Sequence, residues 1–339
     1  MKIAITVDPE LPVPPVFYGG IERMVDLLLR GLVKNGHDVT LFANGASRAP
    51  CRIIALPGKM SQSRSDTIRN AWLITRHVLR EKYDVIHSYG RLAYLVPAMA
   101  LGLRVIMTYQ RPISRRSVNW ALFFSRNSIR FTAVGQHMTR GIKGDWMTIP
   151  NGVDASYYKF NPRVKDAPLA FLGRIEEIKG VHLAIEVAKR CNRKLHIMGN
   201  IAPEHESYFN DRIKPHIDGT SIRYLGEVND ATKNDVLGRS SALLMPVLWD
   251  EPFGIVMIEA LACGTPVIGL SRGSVPEVVE HGVNGFVCEG VDDMVAAIER
   301  LDSISRMACR RTIEKKYEGS IIVKAYEEVY FSTIHPVKA

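Results

Sequence analysis

Short β-branched runs alternate with helix-length amphipathic segments along the chain, and this alternation limits the available folds more than any other feature. Residues 2–7 predict a buried strand, residues 21–35 a helix with apolar side chains three and four positions apart, and residues 39–42 a second strand. The same alternation predicts strands at 84–87, 105–108, 131–134, 169–172, 194–198, 222–225, 242–245 and 266–269, and helices at 181–190 and 253–262. Such a pattern is typical of parallel sheets that helices cover on both faces.

The alternation restarts after a Pro-Asn-Gly turn at residues 150–152. A length of 339 residues corresponds to about two domains at roughly 150 residues each. We therefore predict two doubly wound α/β domains that meet near residue 150. Ligands of such sheets bind beyond the carboxyl ends of the strands, so we expect the site in the cleft between the domains.

The composition is that of an ordinary globular protein, with 46% hydrophobic and 23% charged residues. Its five cysteines include no C-x-x-C pair, which argues against a secreted disulfide framework and against a zinc ribbon. The N-terminus lacks the features of a signal peptide, and the most apolar window, residues 94–103, is about half the length of a membrane span. We expect a protein of the reducing cytoplasm, either free or peripheral at the inner face of the membrane.

Charge is distributed unevenly between the two halves. Residues 1–150 carry 21 Lys and Arg against 9 Asp and Glu, a net +12, whereas residues 151–339 carry 23 against 26, a net −3. Such an asymmetry suggests an anionic partner such as a phosphorylated substrate, an anionic lipid or a nucleic acid; alternatively it is an ordinary solvated surface. Nucleic acid is the least expected, because no recognised binding motif occurs.

A basic stretch with interleaved aromatics lies at residues 111–130. It predicts either an interfacial helix on an anionic membrane or a domain helix with an aromatic core face and a basic solvent face. Its cations and large apolar residues are Arg111, Arg115, Arg116, Arg126 and Arg130, with Trp120, Leu122, Phe123 and Phe124.

Residues 173–180, GRIEEIKG, follow a predicted strand and lead into a predicted helix. Backbone N–H groups and the helix dipole favour an anion there. Arg174 can grip two phosphate oxygens as a fork and Lys179 can act as a point charge, so the pair suits a diphosphate. Alternatively, both cations pair with Glu176 and Glu177 at the surface.

Residues 251–259, EPFGIVMIE, place two carboxylates about two helical turns apart. Glu251 and Glu259 could contact two ends of one elongated ligand, with the N–H groups of Phe253, Gly254 and Ile255 between them. Alternatively, Glu251 caps the helix and Glu259 lies on a solvent face.

Gly19-Gly20 stands at the first loop–helix junction, where the backbone can approach a ligand closely. Neither G-x-G-x-x-G nor a Walker loop follows a strand in the required place, which argues against dinucleotide-dependent oxidoreductases and P-loop kinases. No convincing D-x-D motif occurs, so we expect no metal. His87 ends a predicted strand and is either a site residue or a structural one.

Taken together, these motifs resemble the retaining nucleotide-sugar glycosyltransferases of family 4, also called group 1. The resemblance runs nearly end to end, through YGGIERMVDLLLRGLVKNGHDVTLFA, IPNGVD, FLGRIEEIKGVHLAIEVAKR, LHIMGN, IRYLGEV and WDEPFGIVMIEALACGTPVIGLSRGSVPEVVEHGVNGF. It implies the GT-B fold, two facing Rossmann-like domains with a cleft between them. Residues 1–152 with a C-terminal helix at about 318–335 would form the acceptor-side domain, and 153–317 the donor-binding domain.

The same resemblance implies roles for individual residues. The catalytic set is Glu251, Arg174 and Lys179; the donor-binding set is Gly19, Gly20, Gly199, Gly226, Val228, Phe253, Gly254, Ile255 and Glu259. Within these sets the two cations would hold the diphosphate with Gly20 approaching it, and Glu259 would bind the ribose. Glu251 would hold the sugar, and the base would lie near Gly199 and residues 226–228.

One residue departs from the family pattern. Members often carry a histidine after the strand at 105–108, close to the sugar, where this chain has Gln110. Glutamine can form hydrogen bonds but does not titrate near neutral pH. Gln110 and His87 are therefore predicted on the acceptor or sugar side.

The resemblance implies sugar transfer from a nucleoside diphosphate sugar, with UDP favoured, to a glycan, lipid-linked or small-molecule acceptor. Transfer would retain the anomeric configuration and use neither a metal nor another cofactor. Two alternatives stay open: a nucleotide-sugar 2-epimerase of the same architecture, and a non-catalytic protein that binds a nucleotide sugar or a polyanion.

Overall fold

The computed structural model describes residues 1–17, 19–125 and 128–335, and the chain divides into two compact units. The first unit runs from Met1 to Asn151 and also includes the chain from Gly319 onward. The second unit is Gly152–Glu318.

The first unit is built on a parallel sheet. Its strands are β1 Lys2–Thr6, β2 Asp38–Ala43, β3 Arg52–Ala55, β4 Val85–Ser88, β5 Val105–Tyr109, β6 Arg130–Ala133 and β7 Trp146–Thr148. Its helices are α1 Gly20–Lys34, α2 Arg64–Glu81, α3 Val96–Ala100, α4 Arg115–Phe124 and α12 Gly319–Ile334. The strand order is β3-β2-β1-β4-β5-β6-β7, and each neighbouring pair is parallel.

Helices cover both faces of this sheet. Ile86 of β4 shares a buried cluster with Ile74 of α2, Met99 of α3 and Val118 of α4, so these three helices lie on one face. Neighbouring side chains of a strand point to opposite faces, and His87 contacts α12 on the other side. There α12 packs on α1.

The second unit contains the other parallel sheet. Its strands are β8 Leu169–Leu172, β9 Leu195–Met198, β10 Ile222–Tyr224, β11 Ala242–Met245, β12 Val267–Leu270 and β13 Gly285–Cys288. Its helices are α5 Val181–Arg190, α6 Glu206–Tyr208, α7 Asp230–Arg239, α8 Ile255–Ala262, α9 Val275–Val278, α10 Val291–Glu299 and α11 Arg306–Thr312. The order is β10-β9-β8-β11-β12-β13, so the winding direction reverses between β8 and β11. A ligand of such a sheet binds outside the strand ends at this reversal.

The prediction of two doubly wound parallel-sheet units is confirmed. Three strands, β3, β7 and β13, were not predicted. Each lies at an edge of its sheet and is three or four residues long, although β10, an edge strand of three residues, was predicted. In the described ranges, no helix has the length and apolar character to cross a membrane.

Candidate functional site

The loops that follow β8 and β11 in the second unit are tied together at the winding reversal. The N–H of Leu248 donates to the carbonyl of Ile178 at 2.8 Å. Gly180 has a φ of +71°, and a Cβ on it would lie 1.9 Å from the carbonyl oxygen of Pro246, so this close approach requires glycine. The side chains of these loops are thereby held at the place where a ligand is expected.

Lys179 and Glu251 form an ion pair across this point. The Lys179 ammonium lies 2.5 Å from Glu251 Oε2, and both side chains are mostly buried. The same carboxylate oxygen accepts from the Trp249 indole N–H at 2.9 Å, while Lys179 lies 4.9 Å from the centre of the Trp249 ring. The structure therefore brings together two residues of the predicted catalytic set that are 72 positions apart.

Arg174 follows β8 and faces a second carboxylate. Its Nη2 lies 2.8 Å from Glu176 Oε1, and the other carboxylate oxygen lies 3.3 Å from His205 Nε2. Glu176 is buried and Arg174 is partly exposed. The alternative interpretation, in which both cations pair with Glu176 and Glu177, therefore holds for Arg174, which pairs with Glu176. It does not hold for Lys179, which pairs with Glu251.

The helix that carries Glu259 begins later than predicted. Gly254 has a φ of +72° and precedes α8, which begins at Ile255; the predicted start at residue 253 is wrong because the left-handed backbone at Gly254 interrupts the helical geometry. Helix geometry leaves the N–H groups of Ile255 and Val256 without an intrahelical carbonyl. The segment before α8 is braced by Ser274, whose hydroxyl donates to the Phe253 carbonyl at 2.7 Å.

Glu259 is buried on α8, not exposed on a solvent face as the alternative interpretation had it. Its Oε1 accepts from the Lys233 ammonium at 2.5 Å and from the Tyr158 hydroxyl at 2.9 Å. Lys233 is itself buried and lies 2.9 Å from Asp230. Both bonds use the same carboxylate oxygen, so neither of these partners engages Oε2.

The residues predicted to surround the base meet at the ends of β8, β9 and β10. The N–H of Gly199 donates to the Gly226 carbonyl at 2.9 Å, and the Tyr224 hydroxyl donates to the Gly199 carbonyl at 2.7 Å. A Cβ on Gly199 would lie 1.8 Å from the Gly173 carbonyl oxygen, so no other residue fits there. Val228 follows and is half-buried.

In the first unit, Gly19 and Gly20 stand at the start of α1, as predicted. Gly20 is the first helical residue, and Gly19 has a φ of +150°. A Cβ on Gly19 would lie 2.9 Å from a carboxylate oxygen of Glu22, whose pKa is raised by burial. A ligand that approaches this junction from that side would therefore meet an acidic group as well as the helix N-terminus.

Gln110 is held by a reciprocal amide pair. Its Nε2 donates to Asn151 Oδ1 at 2.7 Å, and the Asn151 amide donates back to Gln110 Oε1 at 2.9 Å. Asn151 is buried and is the last residue of this part of the first unit. Gln110 thus fixes the chain where it leaves the unit, and its predicted place beside the sugar stays a prediction.

His87 is a structural residue, and its predicted place on the acceptor or sugar side is wrong in this structure. The side chain is fully buried, with Nδ1 2.7 Å from the Tyr330 hydroxyl and Nε2 2.6 Å from Thr108 Oγ1. Burial lowers the pKa of His87 to about 3. Both ring nitrogens are occupied within the first unit, so the imidazole is not accessible to a substrate.

The aromatic side chains of the 111–130 stretch do not form a core face. Val118 and Ala121 are the buried residues of α4, whereas Trp120 is 52% and Phe123 75% exposed. The interpretation as a helix with an aromatic core face is therefore wrong. Arg126, which also belongs to this stretch, lies outside the described residues.

Several contact residues of the second-unit site were not predicted. Trp249 stands inside a motif that the sequence singled out, and its proximity to Glu251 was a usable signal. Lys233 and Tyr158 reach Glu259 from 26 and 101 positions away, so no spacing in the sequence points to them.

Comparisons with known proteins assign the chain to a family. The family model described as "Glycosyl transferases group 1" matches residues 157–318, and the model described as "Glycosyltransferase Family 4" matches residues 18–157. The chain is 25% identical to a glycogen synthase of Mycobacterium tuberculosis, covering 94% of this chain and 92% of that protein. It is 28% identical to a phosphatidyl-myo-inositol mannosyltransferase of Mycolicibacterium smegmatis, covering 97% and 93%.

A solved structure shows the same fold. Anabaena HepE, crystallised in complex with UDP and glucose, matches with a TM-score of 0.74 at 19% identity, covering 98% of this chain and 100% of that one. The two family models together span residues 18–318, in both parallel-sheet units. The chain belongs to glycosyltransferase family 4, among the group 1 glycosyl transferases, and has the GT-B fold.

Proposed function

We propose that this glycosyltransferase moves a sugar from a nucleoside diphosphate sugar, with UDP as the favoured nucleotide, to a glycan, lipid-linked or small-molecule acceptor. The anomeric configuration is retained, and neither a metal ion nor another cofactor takes part. The observation that carries the proposal is the Lys179–Glu251 pair at the winding reversal of the second sheet. HepE, which shares the fold, was solved with UDP and glucose, and this favours a uridine nucleotide.

Lys179 and Arg174 supply the positive charge that the leaving diphosphate requires. Both follow β8, so both cations belong to one strand end. Negative charge develops on the diphosphate as the glycosidic bond breaks, and preorganised cations stabilise it. Because each cation pairs with a carboxylate, the diphosphate binds by taking over part of those contacts.

Glu251 and the start of α8 hold the sugar in this proposal. The Glu251 carboxylate is a hydrogen-bond acceptor for sugar hydroxyls, and the N–H groups of Phe253, Gly254 and Ile255, just before and at the start of α8, are the donors. Glu259, through Oε2, accepts from the ribose hydroxyls.

Retention requires no enzyme nucleophile when the acceptor attacks from the face that the diphosphate leaves. The diphosphate oxygen then accepts the acceptor proton.

Metal independence is a separate part of the proposal. Within residues 1–17, 19–125 and 128–335, no group of three or more His, Cys, Asp or Glu side chains is arranged to hold a metal ion. The test is turnover with and without EDTA, and restoration of lost activity by Mg²⁺ or Mn²⁺ would overturn this part.

We place the reaction in the cytoplasm, where the five free thiols stay reduced.

The first experiment measures binding of UDP, GDP, ADP and their common sugar conjugates by calorimetry. Wild type is compared with Lys179→Ala and with Lys165→Ala, a control at an exposed lysine of the same unit. We expect one nucleotide to bind to wild type and to the control, and its affinity to fall in Lys179→Ala. If Lys179→Ala binds it as wild type does, Lys179 does not hold the diphosphate.

The second experiment measures turnover once the donor is known. We expect Lys179→Ala to lower turnover by about a hundredfold or more with the fold intact, although loss of the buried ion pair with Glu251 lowers the thermal midpoint. Incubation of the donor without acceptor separates the remaining alternatives, because an epimerase converts the donor alone and a binding protein converts nothing. Neither of the relatives reported above is named as an epimerase.

A further inference from the structure

The outward side of α2 carries an apolar stripe that no other element of the described ranges covers. Ile68 is 69%, Trp72 60% and Leu79 50% exposed, at positions that share one side of the helix. Between this stripe and the residues Ala93, Val96 and Pro97 runs an open groove of about 900 Å³. The guanidinium of Arg76 lies 5.1 Å from the Trp72 ring.

The outward side of α4 has the same chemistry. Trp120 stacks on Phe124 with 5.5 Å between ring centres, and Phe123 is 75% exposed beside them. Arg115 and Arg116 in the first turn of α4 are exposed.

These two helices and α3 lie side by side on one face of the first sheet. Their inward residues share one core, so their outward residues share one surface. We call this surface the outer helical face. Its exposed large apolar residues are Ile68, Trp72, Leu79, Leu101, Trp120, Phe123 and Phe124.

The charge of this layer is predominantly positive. Residues 64–125 contain 10 Lys and Arg against 3 Asp and Glu, a net +7. The three acids are already engaged: Asp66 accepts from the N–H groups of residues 59 and 60, Glu81 pairs with Lys2, and Asp84 accepts from the backbone of Lys2. Exposed arginines at 76, 80, 104, 115 and 116 are therefore left to face a partner.

We propose that the outer helical face docks on the surface of an anionic phospholipid bilayer. Indole and phenyl rings at the headgroup level, surrounded by arginines, are the side chains that interfacial binding uses. Neither signal alone anchors a protein stably, but apolar insertion combined with a basic patch does. The apolar groove beside α2 provides room for acyl chains. Positive charge without accessible acids favours a lipid surface over a protein partner, whose surface carries both signs.

Vesicle sedimentation tests the proposal, with the full chain and vesicles of phosphatidylcholine alone or mixed with phosphatidylglycerol. We expect binding to the mixed vesicles that weakens as salt is added, and little binding to phosphatidylcholine. The apolar variant Trp72→Ser with Phe123→Ser and the charge variant Arg76→Gln with Arg116→Gln each weaken binding by about tenfold or more.

Matched controls make the result specific to this face. Phe331→Ser removes a 62% exposed ring from α12, on the opposite face of the same sheet, and Arg239→Gln removes an exposed arginine from the second unit. Both controls bind as wild type does, and unchanged nucleotide binding in every variant verifies an intact fold. Quenching of Trp72 and Trp120 fluorescence by lipids with brominated acyl chains is the second expected readout.

The proposal is overturned if the mixed vesicles fail to bind wild type, or if the controls weaken binding as much as the variants do. It is also overturned if vesicles do not bind and the chain instead self-associates in a way that Trp72→Ser with Phe123→Ser abolishes. That last result would assign the outer helical face to contacts between copies of this chain.

Discussion

Removing the Lys233 ammonium tests how the second unit holds Glu259. The Glu259 side chain is 4% exposed and that of Lys233 is 8% exposed, so Lys233→Met leaves a buried carboxylate with the Tyr158 hydroxyl but without its cation. Breaking a buried ion pair by removing one partner costs about 3–5 kcal/mol, because the remaining charge is desolvated and unpaired. We expect Lys233→Met to lower the free energy of unfolding of the second unit by about that amount.

The reverse change is milder for a structural reason. Glu259→Gln leaves Lys233 beside Asp230 at 2.9 Å, so the ammonium keeps a carboxylate partner and the cost is about 1–2 kcal/mol. The double variant Lys233→Met with Glu259→Gln contains no unpaired buried charge. It should therefore be more stable than Lys233→Met alone.

Urea unfolding followed by tryptophan fluorescence measures these values in a chain whose other three tryptophans, Trp72, Trp120 and Trp146, are replaced by phenylalanine, which leaves Trp249 to report the second unit. Hydrogen exchange of the α7 and α8 peptides assigns the loss to this site. Lys165→Met is the control at an exposed lysine. A cost below about 1 kcal/mol for Lys233→Met, or a double variant as unstable as the single one, would refute the description of Glu259 as a carboxylate that depends on Lys233.

Three further outcomes follow from the geometry. Unfolded His87 has the ordinary pKa of 6.5, whereas folded His87 has a pKa of about 3, so between these pH values only the unfolded state takes up the proton. As the pH is lowered through this range, the free energy of unfolding decreases by about 1.4 kcal/mol per pH unit. An acid titration of His87→Gln should therefore show a shallower decline. Tyr330→Phe removes the hydroxyl that lies 2.7 Å from His87 Nδ1 and should lower the thermal stability of the first unit by about 1–3 kcal/mol. Gly199→Ala forces a Cβ against the Gly173 carbonyl and should prevent nucleotide binding or folding. In Gly226→Ala the new Cβ meets no atom within 4 Å, so that variant should lose only about 1–2 kcal/mol in denaturant titrations, from backbone strain.

The central strands of both sheets were predictable because their apolar runs are bounded by turn residues. The strand at 169–172 and the helix at 181–190 have the predicted bounds. The edge strands β3, β7 and β13 were missed, whereas β10, the fourth edge strand, was predicted from an apolar run that ends before Gly226. The start of α8 was predicted two residues early because the glycine at 254, the local signal for a left-handed backbone, was counted as part of the helix.

The residues of the candidate site also differ in how far the sequence could predict them. Arg174, Lys179, Glu251 and Glu259 stand in motifs that the sequence displays; the structure pairs Lys179 with Glu251 and places Glu259 inside α8, where Lys233 and Tyr158 contact it. Their partners come from elsewhere in the chain and depend on the fold. Spacing also failed for α4, because a helical stripe at 120, 123 and 124 indicates that one face is apolar but not whether another element covers it.

Pairing between charges determines how the proposed donor would be recognised. Arg174 with Glu176, Lys179 with Glu251 and Lys233 with Glu259 leave these six groups without net charge, so long-range attraction alone does not select a diphosphate. Selection of the donor then depends on an exchange of partners by Lys179. A diphosphate that draws Lys179 away from Glu251 leaves the Glu251 carboxylate with the Trp249 N–H as its donor. The carboxylate can then accept hydrogen bonds from sugar hydroxyls. Under the proposed function, the diphosphate and the sugar are therefore recognised together, since the cation that binds one controls the carboxylate that binds the other. Lys233 stands apart from this exchange, because its contacts are buried beside Glu259 and Asp230, and it keeps Glu259 oriented whether or not the diphosphate is bound.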